Sequence, residues 1–173
     1  MPINIHGGGA RTNQNGLKFE QETSLEHALI NAGYTITSRN TIIDEHNNCL
    51  GIIAPKHSFY KRILEPEGIN WQDYISKKLL PDEALLNFAN NTVYIIEKKF
   101  QHDSGSVDEK LQTCDFKKKQ YQKLLRDTPY DVEYLYVCND WFEQPCYYDV
   151  HDYIHSVGCH IFFNSIPLSF LGL

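Results

Sequence analysis

Residues 81–99, PDEALLNFANNTVYIIEKK, decide how this chain is read. Residues 83–89 and 92–98 have the composition of two strands, and Ala89-Asn90-Asn91 between them is a turn-forming cluster, so the segment reads as a β-hairpin. In a hairpin the start of one strand lies beside the end of its partner. Asp82 therefore comes next to Glu97, although fourteen residues stand between them. Side chains alternate faces along a strand, so Glu97 and Lys99 share one face and Lys98 points to the other. Tyr94, Ile95 and Ile96 hold the strand in the core. Two carboxylates and an ammonium thus converge at one sheet end.

Convergent carboxylates suit a hard cation. Mg²⁺ takes oxygen ligands in near-octahedral geometry, keeps several waters, and often binds only one or two protein carboxylates plus phosphate oxygens. Bound there, it polarises a phosphoryl oxygen and lowers the pKa of a coordinated water. Lys99 is placed to orient that water and to offset charge building on the phosphate. The chemistry implied is phosphodiester hydrolysis. A bare D…ExK pattern recurs by chance in many chains. Here the Pro-Asp start, the hairpin and the apolar run before Glu97 agree with one another, and that agreement carries the reading.

Outward from the hairpin, residues 16–33 read as a helix. Asn15 is its N-cap, Leu25, Ala28, Leu29 and Ala32 recur at helical spacing, and Gly33 is its stop. YTITSR and CLGIIAP read as strands, and residues 56–79 as two helical pieces broken at Pro66 and Gly68. SVDE at 106–109 has capping-box form and opens a long helix to about Arg126. VEYLYVCN is a strong strand after Pro129, YDVHDYIHSVG a short helix and CHIFFN a last strand, while IPLSFLGL closes the chain against its core or a partner. The fold class expected is α/β (an α+β mixed sheet), with a central mixed β-sheet flanked by helices in a single domain over residues 1–173.

Length and composition agree. The chain has 173 residues, 42% of them hydrophobic and 13% aromatic, as expected of a globule with one sizeable core. It holds no apolar run near the roughly 20 residues of a membrane span, and MPINIHGGGARTNQ lacks the apolar centre of a signal peptide, so a cytoplasmic location is expected. Five scattered cysteines suggest reduced thiols. The net charge is −6, yet residues 98–126 hold eight of the sixteen Lys and Arg residues, and residues 127–173 hold none beside seven acids. Such asymmetry makes either a local basic surface able to meet a polyanion or a solvated helix face.

Pro81-Asp82…Glu97-Lys98-Lys99 resembles the signature of the PD-(D/E)XK nuclease superfamily. The element order is similar to its restriction-endonuclease-like αβββαβ core, with the 16–33 helix first and residues 110–126 as the crossing helix. With GGGARTNQNGLKFEQ, EKKFQ and GSVDEKLQT, the chain resembles a type II restriction endonuclease over roughly residues 7–173. That resemblance implies Mg²⁺-dependent cleavage of double-stranded DNA and a companion DNA methyltransferase protecting host sites. By resemblance, Asp82 and Glu97 match the metal-binding acids, the Lys98 carbonyl completes the protein ligands, and Lys99 matches the catalytic lysine. Glu20 matches an acid placed near a metal in many relatives and reads equally as a surface helix charge. Gln101 matches a polar residue beside the site, or is an ordinary end-of-strand glutamine. The chain is near the minimal core, so its recognition device is either built into that core or supplied by another subunit.

For the DNA surface, Ser104 and Ser106 precede a helix N-terminus whose amides can bind phosphate. Lys110, Gln112, Lys117 and Lys119 follow, with Gln suited to adenine and Lys to guanine. Arg11, Asn13, Gln14 and Asn15 form a second polar loop after three glycines that lack the spacing of a nucleotide cradle. Cys138, Cys146, His151, His155 and Cys159 lack paired CxxC spacing, so no zinc site is expected. No cysteine sits in an electropositive loop that would make it a nucleophile. The favoured function is a sequence-specific endonuclease, a homodimer because duplex cleavage needs two sites. A nicking, repair or junction-resolving nuclease of the same fold, or a non-catalytic DNA-binding subunit, are the alternatives.

Overall fold

In a computed structural model, residues 8–103 and 107–173 are described, with side chains from Gln14 and, beyond 103, from Glu109. Seven strands form one mixed sheet in chain order: β1 (Thr35–Ile36), β2 (Thr41–Ile43), β3 (Cys49–Ile53), β4 (Glu83–Asn87), β5 (Thr92–Lys99), β6 (Asp131–Cys138) and β7 (His160–Phe163). Neighbours from β1 to β5 are antiparallel, and β5, β6 and β7 run parallel. Parallel neighbours need a crossover. Helices α3 (Val107–Leu111) and α4 (Cys114–Leu125) carry the chain from β5 to β6, and α5 (Tyr148–Ser156) carries it from β6 to β7. The expected mixed sheet with flanking helices is present.

Strand alternation sorts the core into two. Ala84, Leu86, Val93, Ile95, Tyr134 and Tyr136 face Tyr121, Leu124 and Leu125 of α4. Leu85, Tyr94, Ile96, Leu135 and Val137 face the other way, onto Phe19, Leu25 and Leu29. Those last three come from α1 (Gly8–Glu22) and α2 (Leu25–Asn31). A fully buried aliphatic such as Leu29 stabilises the fold by about 1.5–3 kcal/mol, which is enough to fix a helix as short as α2. The chain end packs on the core as well: Leu171 is buried, and the Asn87 side-chain amide donates to its carbonyl at 2.8 Å.

Several elements depart from the expected ones. The 16–33 helix is two helices: α1 already runs from Gly8, so Asn15 lies inside it and caps nothing. It stops at Thr23, whose hydroxyl donates to the Phe19 carbonyl at 2.7 Å, because Thr and Ser side chains compete for backbone groups. YTITSR yields only the two residues of β1; the chain turns at Asn40 (φ 54°), and β2 was missed. Residues 56–79 form three short turns, Tyr60–Leu64, Glu65–Glu67 and Trp71–Asp73, where two helices were expected. Pro66 and a left-handed Gly68 (φ 71°) prevent anything longer. The long 106–126 helix breaks after Leu111, where the Thr113 hydroxyl donates to the Lys110 carbonyl at 2.7 Å. Its expected capping serine lies outside the described residues.

Candidate active site

The β4–β5 register pairs Glu83 with Ile96, which sets Asp82 opposite Glu97. The Lys98 N–H donates to Asp82 Oδ2 at 2.9 Å and closes this end of the hairpin. By alternation Asp82, Glu97 and Lys99 lie on the α4 face. Lys99 Nζ is 3.0 Å from Glu97 Oε2, 3.2 Å from the Lys98 carbonyl oxygen and 3.9 Å from Asp82 Oδ2. The three oxygens expected to hold a metal thus surround one cation, the protein's own ammonium. The expected trio is together.

Two further lysines join it. Lys56, at the end of the β3 extension, pairs with Asp82. Lys117, on α4, sits 3.3 Å from Glu97 Oε2. Burial alone would raise the Asp82 pKa, but the Lys56 ammonium, the Lys98 N–H and Lys99 outweigh it and hold the carboxyl below the usual range. The Lys56 ammonium loses some hydration by burial, and Asp82 more than compensates, so its pKa is raised. The floor is aromatic. Tyr134 and Tyr136 meet edge to face at 5.4 Å, and the Lys99 ammonium lies 5.9 Å from the Tyr136 ring centre. The buried Tyr121 hydroxyl has no hydrogen-bond partner among the described residues; burial first, then the Glu97 charge, pushes the Tyr121 and Tyr134 phenols far above their usual range. This floor keeps water from one side of the carboxylates and strengthens the ion pairs above it.

The opposite face carries a second ion pair, back to back with the first. Lys98 Nζ is 3.2 Å from Glu83 Oε2 and donates to the Glu20 carbonyl at 3.0 Å, while Glu83 accepts from the Leu25 N–H at 3.2 Å. The pair therefore ties the sheet to the end of α1 and the start of α2. Burial outweighs these partners at Glu83 and leaves its carboxyl above the usual range. Lys98 points away from Asp82 and Glu97 as expected, but it is not a bystander.

The other expected residues scatter. The Glu20 side chain is exposed on α1 and lines a cleft of about 360 Å³ with Asp82, Glu83 and Lys98. Gln101 is buried: its N–H donates to Asn139 Oδ1 at 3.0 Å, the Asn139 amide donates back to its carbonyl at 2.8 Å, and its own side-chain amide has no partner among the described residues. Gln14 and Asn15 are exposed on helix α1, where a loop was expected. The side chains of Arg11 and Asn13, and all of Ser104 and Ser106, lie outside the described residues. Lys110 and Gln112 are exposed, and Gln112 lines a different cleft with Asp149, Val150 and Tyr153. Lys119 pairs with Asp115 at 2.7 Å, and Lys117 turns into the site. The basic stretch is largely spent on partners: Lys98, Lys99, Lys117, Lys118, Lys119 and Arg126 all hold ion pairs.

Of the cysteines, Cys138 stands beside Lys99 in the β5–β6 register. All five are free, with Cys114, Cys138 and Cys159 buried; burial pushes the Cys138 thiol up to about 12. Among the described residues no three His, Cys, Asp or Glu side chains gather so as to hold a metal by themselves. Two carboxylates and a carbonyl, completed by water, are nonetheless a donor set that suits Mg²⁺. Sequence reasoning missed Lys56 and Glu83. Lys56 had no local signal: it comes beside Asp82 because β3 pairs Ile53 with Leu85, a register set only by the folded sheet. Comparison with protein-family models, curated proteins and solved structures finds no match for this chain.

Proposed function

We propose that the chain is a Mg²⁺-dependent endonuclease of double-stranded DNA, of the sequence-specific type II restriction kind. The observation that carries the reading is the convergence of Asp82, Glu97 and the Lys98 carbonyl on one cation position beside an aromatic floor. The antiparallel hairpin, the α4 crossover and the parallel β6 add support, since their order follows the αβββαβ core of the PD-(D/E)XK superfamily. Asp82, Glu97 and the Lys98 carbonyl would hold the Mg²⁺. When bound, it supplies a Lewis acid for a phosphoryl oxygen and a water of lowered pKa. Lys99 orients that water and donates to the phosphate as negative charge grows on it. On the α4 face the corner is covered by Lys56 and Lys117, which a phosphodiester would have to displace, while Glu20 lines the neighbouring cleft with Asp82 and Lys98. A homodimer would cut both strands, and a companion methyltransferase would protect the host's own sites.

The test is digestion of plasmid and phage DNA with Mg²⁺, with mapping of the ends. Discrete fragments, abolished by EDTA, are expected. Ca²⁺, larger and less demanding in geometry, should support binding with little turnover. Nicked circles alone would assign a nicking enzyme. Equal cutting in EDTA would overturn the metal mechanism.

A further inference from the structure

We propose that Lys56 and Lys117 are the resident counter-cations of the metal-free site, and that they pass to the substrate's phosphates when the metal binds. The inference rests on the nuclease reading and adds two residues to it. Asp82 and Glu97 carry two negative charges, and Lys56, Lys99 and Lys117 surround them with three positive ones. A divalent cation added to that cluster without rearrangement would meet a site already net positive. Like charges at contact distance repel strongly where solvent is partly excluded, so some ammonium must leave.

The geometry singles out which. Lys99 is held by a second kind of acceptor, the Lys98 carbonyl, and its side chain is only 15% exposed. Lys56 and Lys117 each have a single acceptor among the described residues, Asp82 and Glu97 respectively. Both reach solvent, with side chains 49% and 27% exposed. Their backbones also approach from different elements: Lys117 from α4, Lys56 from the segment after β3. Lys56 adopts a left-handed backbone (φ 49°), rare for a side-chain-bearing residue, and its N–H donates to the Pro81 carbonyl at 2.9 Å. Backbone strain of this kind persists where the surroundings over-determine it, as at ligand clamps. Here it aims the lysine at the residue next to Pro81. Released from the carboxylates, the two ammoniums flank the place where the phosphate must lie.

The experiment uses the full chain without DNA first. Ca²⁺ alone is titrated calorimetrically into wild type, Lys56→Gln and Lys117→Gln, with melting curves to check folding. Loss of a competing cation should tighten Ca²⁺ binding about threefold to tenfold in each variant. A duplex in Ca²⁺ should then bind about threefold to tenfold more weakly, with the log–log salt slope reduced by about one for each lysine removed. A purely structural ion pair would move neither Ca²⁺ affinity upward nor the salt slope. Unchanged or weaker Ca²⁺ binding in both variants, beside a wild type that binds Ca²⁺ through Asp82 as shown by its loss in Asp82→Asn, overturns the counter-cation role and leaves the nuclease reading intact. No Ca²⁺ binding by wild type overturns both.

Discussion

At the scale of single residues, the neighbouring Lys98 and Lys99 do different things because a strand alternates. Lys99 serves the carboxylates on the α4 face, and Lys98 serves Glu83 on the α1 face. That division was legible from the ExK spacing alone, since it needs only a strand and a period of two. The weight of Lys98 was not legible. From the sequence its side chain points away from the metal ligands and its loss looks mild, whereas the structure buries it against the Glu83 carboxylate, which is itself held by the N–H of Leu25, 58 residues away along the chain. Breaking a buried ion pair by removing one partner leaves the other charge unpaired and typically costs about 3–5 kcal/mol. Lys98→Ala should therefore lower the urea midpoint far more than Lys99→Ala. The double replacement Glu83→Gln with Lys98→Met should recover much of the loss, because no unpaired charge remains. Lys99→Ala should instead abolish single-turnover cleavage while duplex binding in Ca²⁺ stays within about tenfold, since the lysine acts on the chemical step. An active Lys99→Ala enzyme beside a well-folded, inactive Lys98→Ala enzyme would reverse both assignments.

At the scale of elements, what could be read depended on how far each element's cause lay from it in the chain. The β4–β5 hairpin and β6 were legible because apolar runs and a local Asn turn specify them; Asn91 at the turn takes φ 52°, which asparagine tolerates. The breaks at Thr23 and Thr113 depend on side-chain bonds back into the preceding turn, and α2 starts where Glu83, from a distant strand, takes its first free amide. No local pattern reports such a partner. β3 carries another hidden constraint. Between β2 and β3 the register shifts at Ile42/Ile43, and Gly51 brings its backbone so close to the Leu86 carbonyl that an added Cβ would clash with it. Because β3 sets Lys56 opposite Asp82, this close approach also positions the site. Gly51→Ala should destabilise the fold by about 1–3 kcal/mol, the range for overpacking, read from denaturant unfolding. The same variant should weaken Ca²⁺ binding. A neutral effect on both would mean that β3 can shift without disturbing the corner.

At the scale of the whole molecule, the charge distribution says less than the composition promised. Half of the basic residues at 98–126 are paired with acids that lie well away from them in the chain, among them Lys118, which pairs with Glu133 at 3.4 Å and donates to the Gly158 carbonyl at 2.6 Å. Linear counts cannot see such pairing, since Glu133 belongs to the acidic end of the sequence. The consequence appears in the acid response. Glu133 is held below the usual carboxylate range by its hydrogen bond with His160 and by Lys118, against the opposing effect of burial, and Asp82 is depressed despite burial. A depressed carboxyl contributes stability above its unfolded pKa of about 4 and loses it as pH falls through the folded value. Glu83, raised by burial, has the opposite sign: protonation relieves it, so acid removes part of its penalty. Above that range His151 contributes with the same sign as the depressed carboxyls. Burial lowers its pKa, His155 adds to the effect, and the Phe142 backbone, Asp152 and Glu143 oppose it. The unfolded chain binds a proton at this residue near pH 6.5 while the folded one resists, so stability should fall as pH drops from about 7.5 to 5.5. His151→Phe keeps a ring beside Phe163, now 5.5 Å away, and removes the proton site. Urea midpoints at the two pH values should therefore differ less in His151→Phe than in wild type; an equal fall in both proteins would place the sensitivity elsewhere.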